Sequence, residues 1–413
     1  MSFQDMKLSQ PLQTALLNNS YTEATPIQEK VIPMVLQGRD LMVQGQTGSG
    51  KSASFVLPML ELLSQRKGEG KAKIKALVLT PTRELTLQVA ETFTLFSKNL
   101  PVKMKTVSLI GGEGIGDQLY DIQQGCDILV ATSGRFLDVL SKKQMNLSRI
   151  EFLVLDEADK MLNLGFSEAI DAILEVIPSQ RQNLMFSATY PEKVLELTSK
   201  ITSSALKVEV EEELTVKSIE QRVFEVDRDK RGPLLRHLLK SENYGQTLVF
   251  MASRRATDNI AMKFKKYGIA AQSFHGELTQ EERNETLQEF KDKKVQVLFA
   301  TDIAARGLDI KAIDCVVNFD LPRSPSDYIH RIGRTARAGA SGRAISFIDF
   351  ESMAHFKLIE KRSGMRLKRE KVEGFELQGQ APQKVKGPAP VKGKGKSKKD
   401  RARERANEAK KSQ

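Results

Sequence analysis

Gly45-Gln46-Thr47-Gly48-Ser49-Gly50-Lys51-Ser52 is the stretch on which the reading of this chain turns. It fits the spacing G-x-x-x-x-G-K-[ST], a loop that cradles phosphates. Its three glycines let the backbone turn tightly and point successive N–H groups at one anion. Lys51 supplies a point charge for β- and γ-phosphates, and Ser52 a hydroxyl for Mg²⁺. The flanks agree with this. Asp40-Leu41-Met42-Val43 is an apolar run suited to a buried strand, and Ser52 to Leu57 predicts a helix whose positive end faces the phosphates.

Working outward, 413 residues are too many for one ordinary core, so two domains and a tail are expected. Hydrophobic residues at 40% and charged residues at 28% are those of a soluble globular protein. No apolar run approaches the roughly 18 residues of a membrane span. Met1-Ser2-Phe3-Gln4-Asp5 has neither a basic start nor an apolar stretch, so no secretory signal is expected and the location is read as cytoplasmic. Cys126 and Cys315, far apart and beside strand-like runs, are read as reduced core residues. The net charge of +12 is unevenly placed. From Gln380 to Gln413 there are 12 Lys or Arg against 3 Asp or Glu, a net of +9, which leaves +3 for the other 379 residues. A basic tail of this kind suits nucleic acid or another polyanion; the plainer alternative is a solubilising appendage.

Helices are expected from Pro11 to Asn18 and from Pro26 to Leu36. Beyond the phosphate loop, apolar runs alternate with helical segments. Ala76–Leu79 ends at Pro81-Thr82-Arg83, Met104–Leu109 at Gly111-Gly112, and Asp127–Val130 at Thr132-Ser133-Gly134-Arg135. Phe152–Leu155 ends at Asp156-Glu157-Ala158-Asp159 and Asn183–Phe186 at Ser187-Ala188-Thr189. After an acidic break from Glu209 to Lys217 the alternation restarts. Gln246–Phe250 runs to Ser253-Arg254, Ala270–Phe274 to His275-Gly276, and Val295–Ala300 to Thr301-Asp302; Cys315–Phe319 and Gly342–Phe347 complete a second layer. Continuous apolar strands between helices predict parallel sheets covered on both faces, and in such sheets ligands gather at the carboxyl ends of the strands. The second layer has no phosphate loop of its own. Order is expected to fade after about Gly364, where Gly, Pro, Lys and Arg come to dominate.

Asp156 follows four apolar residues and so sits at a strand tip, where a carboxylate can hold the Mg²⁺ of a bound nucleotide. Glu157 beside it is placed to orient or deprotonate an attacking water. In the second layer, Arg334 and Arg337 lie three apart, on one face if the segment is helical. They can act as arginine fingers toward a triphosphate held by the first layer; a solvated basic helix is the bland alternative.

Asp156-Glu157-Ala158-Asp159, together with the phosphate loop, Ser187-Ala188-Thr189 and the run from His330 to Arg337, resembles the DEAD-box ATP-dependent RNA helicases, in the right order from about Phe3 to Phe347. The resemblance implies two tandem RecA-like α/β domains, each a mostly parallel sheet covered by helices, plus a disordered basic tail. The boundaries it suggests are 1–208 for the ATP-binding domain, 209–217 for a linker, 218–363 for the second domain and 364–413 for the tail. It implies ATP and Mg²⁺ as cofactors and RNA as partner. Tyr21, Thr25 and Gln28 would read the adenine, with Phe3 stacked on its ring. Gly45 to Ser52 would hold the phosphates, Ser52 and Asp156 the Mg²⁺, and Lys51, Asp156, Glu157, Arg334 and Arg337 would carry catalysis. Gly307 and Asp309 would meet the ribose. Asp159, Ser187, Ala188, Thr189, His330 and Arg331 resemble the elements that couple hydrolysis to unwinding, with His330 bridging to the triplet on closure.

The same resemblance maps RNA contacts to Pro81, Thr82, Arg83, Gly111, Gly112, Thr132, Ser133, Gly134, Arg135, Ser253, Arg254, His275, Gly276, Thr301 and Asp302, on phosphates and sugars without base readout. Three positions depart from the family pattern. Ala24 stands where Pro is usual, Ser20 where Gly often precedes the aromatic, and Ser133 where Pro is usual, which predicts a softer loop there. The expected activity is ATP-dependent, sequence-independent unwinding of short RNA duplexes or remodelling of ribonucleoprotein. The alternatives are an ATP-gated clamp or assembly platform without unwinding, and a DNA translocase. Bacterial family members of this build act in ribosome assembly or RNA turnover. Precursor ribosomal particles or an RNA-degrading complex would then be the partners, and the sequence does not choose between them.

Overall fold

Along the strands, successive side chains feed different cores. Ala76 and Val78 enter one apolar cluster and Leu77 and Leu79 another, the period-two pattern of a strand buried on both faces. The structure, a computed structural model, describes residues 2–45, 49–65, 72–202, 204–210, 219–242, 244–305, 313–335 and 342–378.

The first half runs α1 (Gln10–Asn18), α2 (Pro26–Leu36), β1 (Leu41–Gln44), α3 (Lys51–Ser64), β2 (Ala76–Thr80), α4 (Arg83–Ser97), β3 (Thr106–Leu109), α5 (Ile115–Gln123), β4 (Ile128–Thr132), α6 (Ser133–Leu140), β5 (Phe152–Leu155), α7 (Ala158–Asn163), α8 (Ser167–Leu174), β6 (Gln182–Ser187), α9 (Glu192–Ile201) and β7 (Leu206–Glu209). The second runs β8 (Ile219–Glu225), α10 (Arg231–Ser241), β9 (Thr247–Met251), α11 (Arg254–Lys266), β10 (Ala271–Phe274), α12 (Gln280–Lys291), β11 (Val297–Thr301), α13 (Asp302–Ala305), β12 (Cys315–Asn318), α14 (Pro325–Ile332), β13 (Gly342–Ile348), α15 (Met353–Arg362) and β14 (Arg369–Glu370).

Two seven-stranded sheets result, ordered β3-β4-β2-β5-β6-β1-β7 and β10-β11-β9-β12-β13-β8-β14. Every pairing within them is parallel. They have the architecture of tandem RecA-like domains. Both cysteines are buried and unpaired, and burial raises the Cys126 thiol to about 12. No helix among the described residues is long and apolar enough to cross a membrane.

Three strands escaped the sequence reading. β7 is an edge strand in which only Val208 is buried, so it offers no apolar run. β8 mixes Glu220, Gln221 and Arg222 with Ile219 and Val223, yet it pairs with both β13 and β14. β14 lies beyond Gly364, where order was expected to fade. Instead Val372 and Phe375 pack on the core beneath α10 and α11, and Arg222 grips Glu370. The described chain thus stays packed to Phe375; of the expected linker 209–217, residues 211–217 lie outside the described residues, while Glu209 closes β7.

Candidate functional site

Both sheets present their strand tips to one cleft. At the tip of β1, the Gly45 N–H donates to the Ser187 carbonyl at the tip of β6 (3.1 Å), so the phosphate loop begins anchored to the Ser187-Ala188-Thr189 triplet. Gln46, Thr47 and Gly48 lie outside the described residues, as do Gly307, Asp309 and Arg337. Gly50 caps α3 with φ +91°, and a Cβ there would stand 2.5 Å from Gln28 Nε2 and 2.8 Å from Thr25 Oγ1. Only glycine fits. Thr25 Oγ1 donates to the Ser49 carbonyl (2.8 Å), Gln28 Nε2 to the Gly50 carbonyl (3.2 Å), and Gln28 Oε1 accepts from the Thr25 N–H (2.9 Å). One amide hydrogen and one lone pair of Gln28 remain for an adenine edge.

Of the two aromatic residues expected at the adenine, one is buried. Phe3 is only 4% exposed, held in the core with Met6, Leu8 and Leu12, rather than offering an open ring face. Tyr21 stands edge-on to Phe96 at 5.2 Å. Ser20, just before it, adopts φ +62°, the left-handed conformation that a glycine would take without strain.

Lys51 opens α3, is 6% exposed, and donates its Nζ to the Gly45 carbonyl (2.9 Å). Ser52 follows it in the first turn. At the tip of β5, Asp156 and Glu157 are both almost fully buried, and Asp156 Oδ1 and Glu157 Oε2 have no hydrogen-bond partner among the described residues. Burial, helped by the charge on Glu157, pushes Asp156 up to about 6. Burial would raise Glu157 too, but Lys160, Lys51 and Arg334 outweigh it and bring Glu157 down to about 2. Glu157 itself is left-handed (φ +57°) at the cap of α7, and its Oε1 accepts from Lys160 Nζ at 2.6 Å, with both side chains buried. Asp159, two residues on, reaches β6: its Oδ2 accepts from Thr189 Oγ1 (2.8 Å) and the Thr189 N–H (3.2 Å), while Ser187 Oγ accepts from the Asp159 N–H (3.3 Å). Ala188 is the spacer between them.

The second half closes on this cluster. Lys160 shares a cavity of about 20 Å³, room for one water, with Phe250, Asp302, His330, Arg331 and Arg334. Arg334 is 5% exposed. His330 is pushed down to about 3 by burial and then by Lys160, Lys51 and Arg334, so it is neutral there, and its buried Nδ1 has no partner among the described residues. It makes no hydrogen bond to Asp159, Ser187 or Thr189 among the described residues; its neighbours are Lys160 and Glu157.

Of the residues mapped to RNA, some face the cleft and some are held elsewhere. The Arg83 guanidinium covers Gly111 and Gly112; a Cβ on Gly112, at φ +92°, would stand 2.7 Å from it. Arg83 is lowered by burial and then by Arg283 of the second half, with Arg135 adding to the same positive field. Arg135 donates to the Glu113 carbonyl (2.8 Å), and Thr132 ends β4. Pro81 and Thr82 are buried, and the Thr82 hydroxyl caps α4. Ser133 is not a soft loop residue: with Gly134 it starts α6, fully buried, its hydroxyl against Met161 Sδ at 3.8 Å. A first helical position tolerates Pro and Ser alike. Across the cleft, Ser253 caps α11, Arg254 pairs with Glu277, Gly276 is exposed, and Thr301 ends β11. His275 points inward, 4% exposed, its Nε2 2.9 Å from Asp258. The Asp302 carboxylate is taken up by Arg331 in a two-point ion pair (2.6 and 2.7 Å).

The profile described as DEAD/DEAH box helicase matches residues 25–197, and that described as Helicase conserved C-terminal domain matches 230–339. The DEAD-box ATP-dependent RNA helicase CshA of Bacillus subtilis (strain 168) is 38% identical over 383 residues, covering 92% of this chain and 76% of the relative. This chain belongs to the DEAD-box family of ATP-dependent RNA helicases. Two solved family structures superpose on it over 90% of its length. Mss116p bound to ssRNA and AMP-PNP does so with a TM-score of 0.82 at 26% identity, over 80% of that chain. S. cerevisiae Dbp5 bound to RNA and ADP BeF3 does so at 0.78 and 29%, over 95% of that chain.

For a DEAD-box chain, two features of the cleft were absent from the sequence reading. One is Lys160, the buried partner of Glu157. Its spacing of three on a helix is a signal, but one that every surface ion pair shares. The other joins the halves: Arg283 Nε donates to Glu84 Oε1 at 2.7 Å and its second nitrogen to the same oxygen, over 199 residues of sequence.

Proposed function

We propose that this helicase hydrolyses ATP in the cleft between its halves and uses the resulting closure and opening to separate short RNA duplexes locally, without regard to sequence. The observation that carries this reading is the convergence of both halves on one buried cluster: Lys51, Glu157 and Lys160 from the first, His330 and Arg334 from the second. Neither half alone gathers enough positive charge for a triphosphate.

Thr25, Gln28 and Tyr21 would take the adenine; Gly45 to Ser52, with Lys51, the phosphates; Gly307 and Asp309 the ribose; Arg334 and Arg337 the terminal phosphoryl group. Mg²⁺ fits Asp156 and Ser52, since Asp156 Oδ1 is a buried acceptor without a partner among the described residues. Among the described residues no cluster of three or more acidic, His or Cys side chains could cage a metal, which suits an ion held by one carboxylate and substrate phosphates. When bound, Mg²⁺ neutralises charge developing on the phosphate oxygens. Glu157, held ionised, accepts the proton of the attacking water, and the Asp159–Thr189 contact passes the state of the site to β6. Arg83 and Arg135, with Gly111, Gly112, Gly134, Arg254 and Gly276, would follow the RNA backbone. The relatives named as RNA helicases, and the solved structures holding RNA with an ATP analogue, support the same assignment.

The proposed domains are 1–208 and 218–363, the second extended to about 378. The basic segment beyond would tether structured RNA by counterion release, in ribosome assembly or RNA turnover in the cytoplasm. The test is ATPase activity against matched RNA and DNA strands, with release of a short labelled RNA duplex. Stimulation by RNA alone and strand release in ATP are expected. Stimulation by DNA, or ATPase without release, would refute the proposal.

A further inference from the structure

We propose that the outer face of α10 and α11 is a second RNA-binding surface, which takes the strand or duplex flanking the segment gripped in the cleft. It rests on the reading of the cleft as an RNA site. The two helices carry eight Lys or Arg against one Asp, a net of +7, although residues 1–379 together carry only +3. The positive charge of the body is therefore concentrated here. Arg236, Lys240, Arg255, Lys263, Lys265 and Lys266 form no ion pair among the described residues, whereas the buried Arg231 is neutralised by Asp320 and Asp349.

The arrangement is directional. α11 starts at Ser253-Arg254, at the same sheet end as Gly276 and Thr301, and runs away from the cleft for about 20 Å. Arg255, Asn259, Lys263 and Lys266 recur at helical spacing along its exposed stripe. The stripe ends at Tyr267, 58% exposed, with the Arg236 guanidinium 4.0 Å from its ring centroid. An exposed ring with an arginine on it, at the end of a row of unpaired cations, is the combination that takes phosphates and one stacked base without reading sequence. The other flank of α11, where Asp258 and Lys265 lie, faces Glu282 and Glu285 of α12, which disfavours an anion there and favours the α10 side. Phe375 packs 5.6 Å from His237 of α10, so the body ends beside this face, just before the basic segment begins.

The test uses the full chain and two RNAs: a short single strand that fills only the cleft, and the same strand with a flanking hairpin. Lys263→Glu with Lys266→Glu, and separately Tyr267→Ala, are exposed changes that leave the cores intact. The charge pair should weaken hairpin binding about ten-fold and flatten its salt slope by about 1.5, since each lost phosphate contact removes roughly 0.7–0.9. Tyr267→Ala should weaken hairpin binding about ten-fold through the lost stack. Binding of the short strand, and ATPase stimulated by it, should change less than about two-fold. Equal losses on both RNAs, or no loss on either, would overturn the proposal; no loss would leave the face to an acidic protein partner. A wild-type protein that binds neither RNA would overturn the cleft reading itself, and this one with it.

Discussion

Arg283 of the second half and Glu84 of the first form an ion pair across the cleft with side chains only 6% and 10% exposed. Arg283 is fixed from its own side as well, donating to the His275 carbonyl (2.8 Å) with its guanidinium over the Phe274 ring. In an open molecule both charges return to water. Removing one partner therefore penalises the closed form selectively, by about 3 kcal/mol for a charge left buried and unpaired. Glu84→Gln or Arg283→Gln should raise the RNA concentration that half-stimulates ATPase at least ten-fold, and the double variant should be no worse than either single one. Additive losses would show that the two side chains act separately.

Asp159 is tied to the segment just beyond β6 by both the hydroxyl and the N–H of Thr189. Thr189→Val keeps the shape and removes one hydrogen bond to a charged group, worth about 1.5–3 kcal/mol. RNA strand release should fall about ten-fold or more while RNA-stimulated ATPase changes less than about three-fold. If both fall together, the contact serves hydrolysis itself rather than its coupling.

Ser20 holds a left-handed backbone, a strain of roughly 1–2 kcal/mol for a residue with a Cβ. Glycine removes it at a cost of about 0.4–1 kcal/mol of chain entropy. Ser20→Gly should raise Tm by about 1–3 °C. A lower Tm would mean that the Ser20 side chain earns its place by a contact.

His330 ordinarily titrates at 6.5 but is held near 3 in the closed cleft, first by burial and then by Lys160, Lys51 and Arg334. Between those values an open cleft takes up a proton that the closed one does not. The contribution of neutral His330 to closure is therefore complete above about 6.5 and is lost as pH falls toward 3. RNA affinity measured with a non-hydrolysable ATP analogue should drop below pH 6 with a slope that is shallower, by up to one proton, in His330→Gln. Identical slopes in the two proteins would place the titration elsewhere.

The phosphate loop, the tetrad from Asp156 to Asp159 and most strand tips were legible because each is a local pattern of period, spacing and chain direction. Pairing at a distance was not. Nothing in the neighbourhood of Glu84 marks Arg283 as its partner, and Asp302 looks as available to RNA as Thr301 until Arg331 is seen to hold its carboxylate. Phe3 was assigned to an adenine ring because burial cannot be read from a lone aromatic near a terminus. The fading of order was placed too early because composition turns polar around β14 before packing stops at Phe375. Ser20 was different: the sequence marked the turn as irregular, and the backbone shows how it is accommodated.

The central claim is that an intact triphosphate and RNA stabilise the same closed pairing of the two halves, so each must tighten the other by the same factor. The direct measurement is the affinity of the full-length protein for a short single-stranded RNA with a non-hydrolysable ATP analogue, with ADP, and without nucleotide, together with the reciprocal affinity for the analogue with and without RNA. The account predicts at least about ten-fold tighter RNA binding with the analogue than with ADP, and the same gain in analogue affinity when RNA is present. Equal RNA affinities in all three conditions would contradict it.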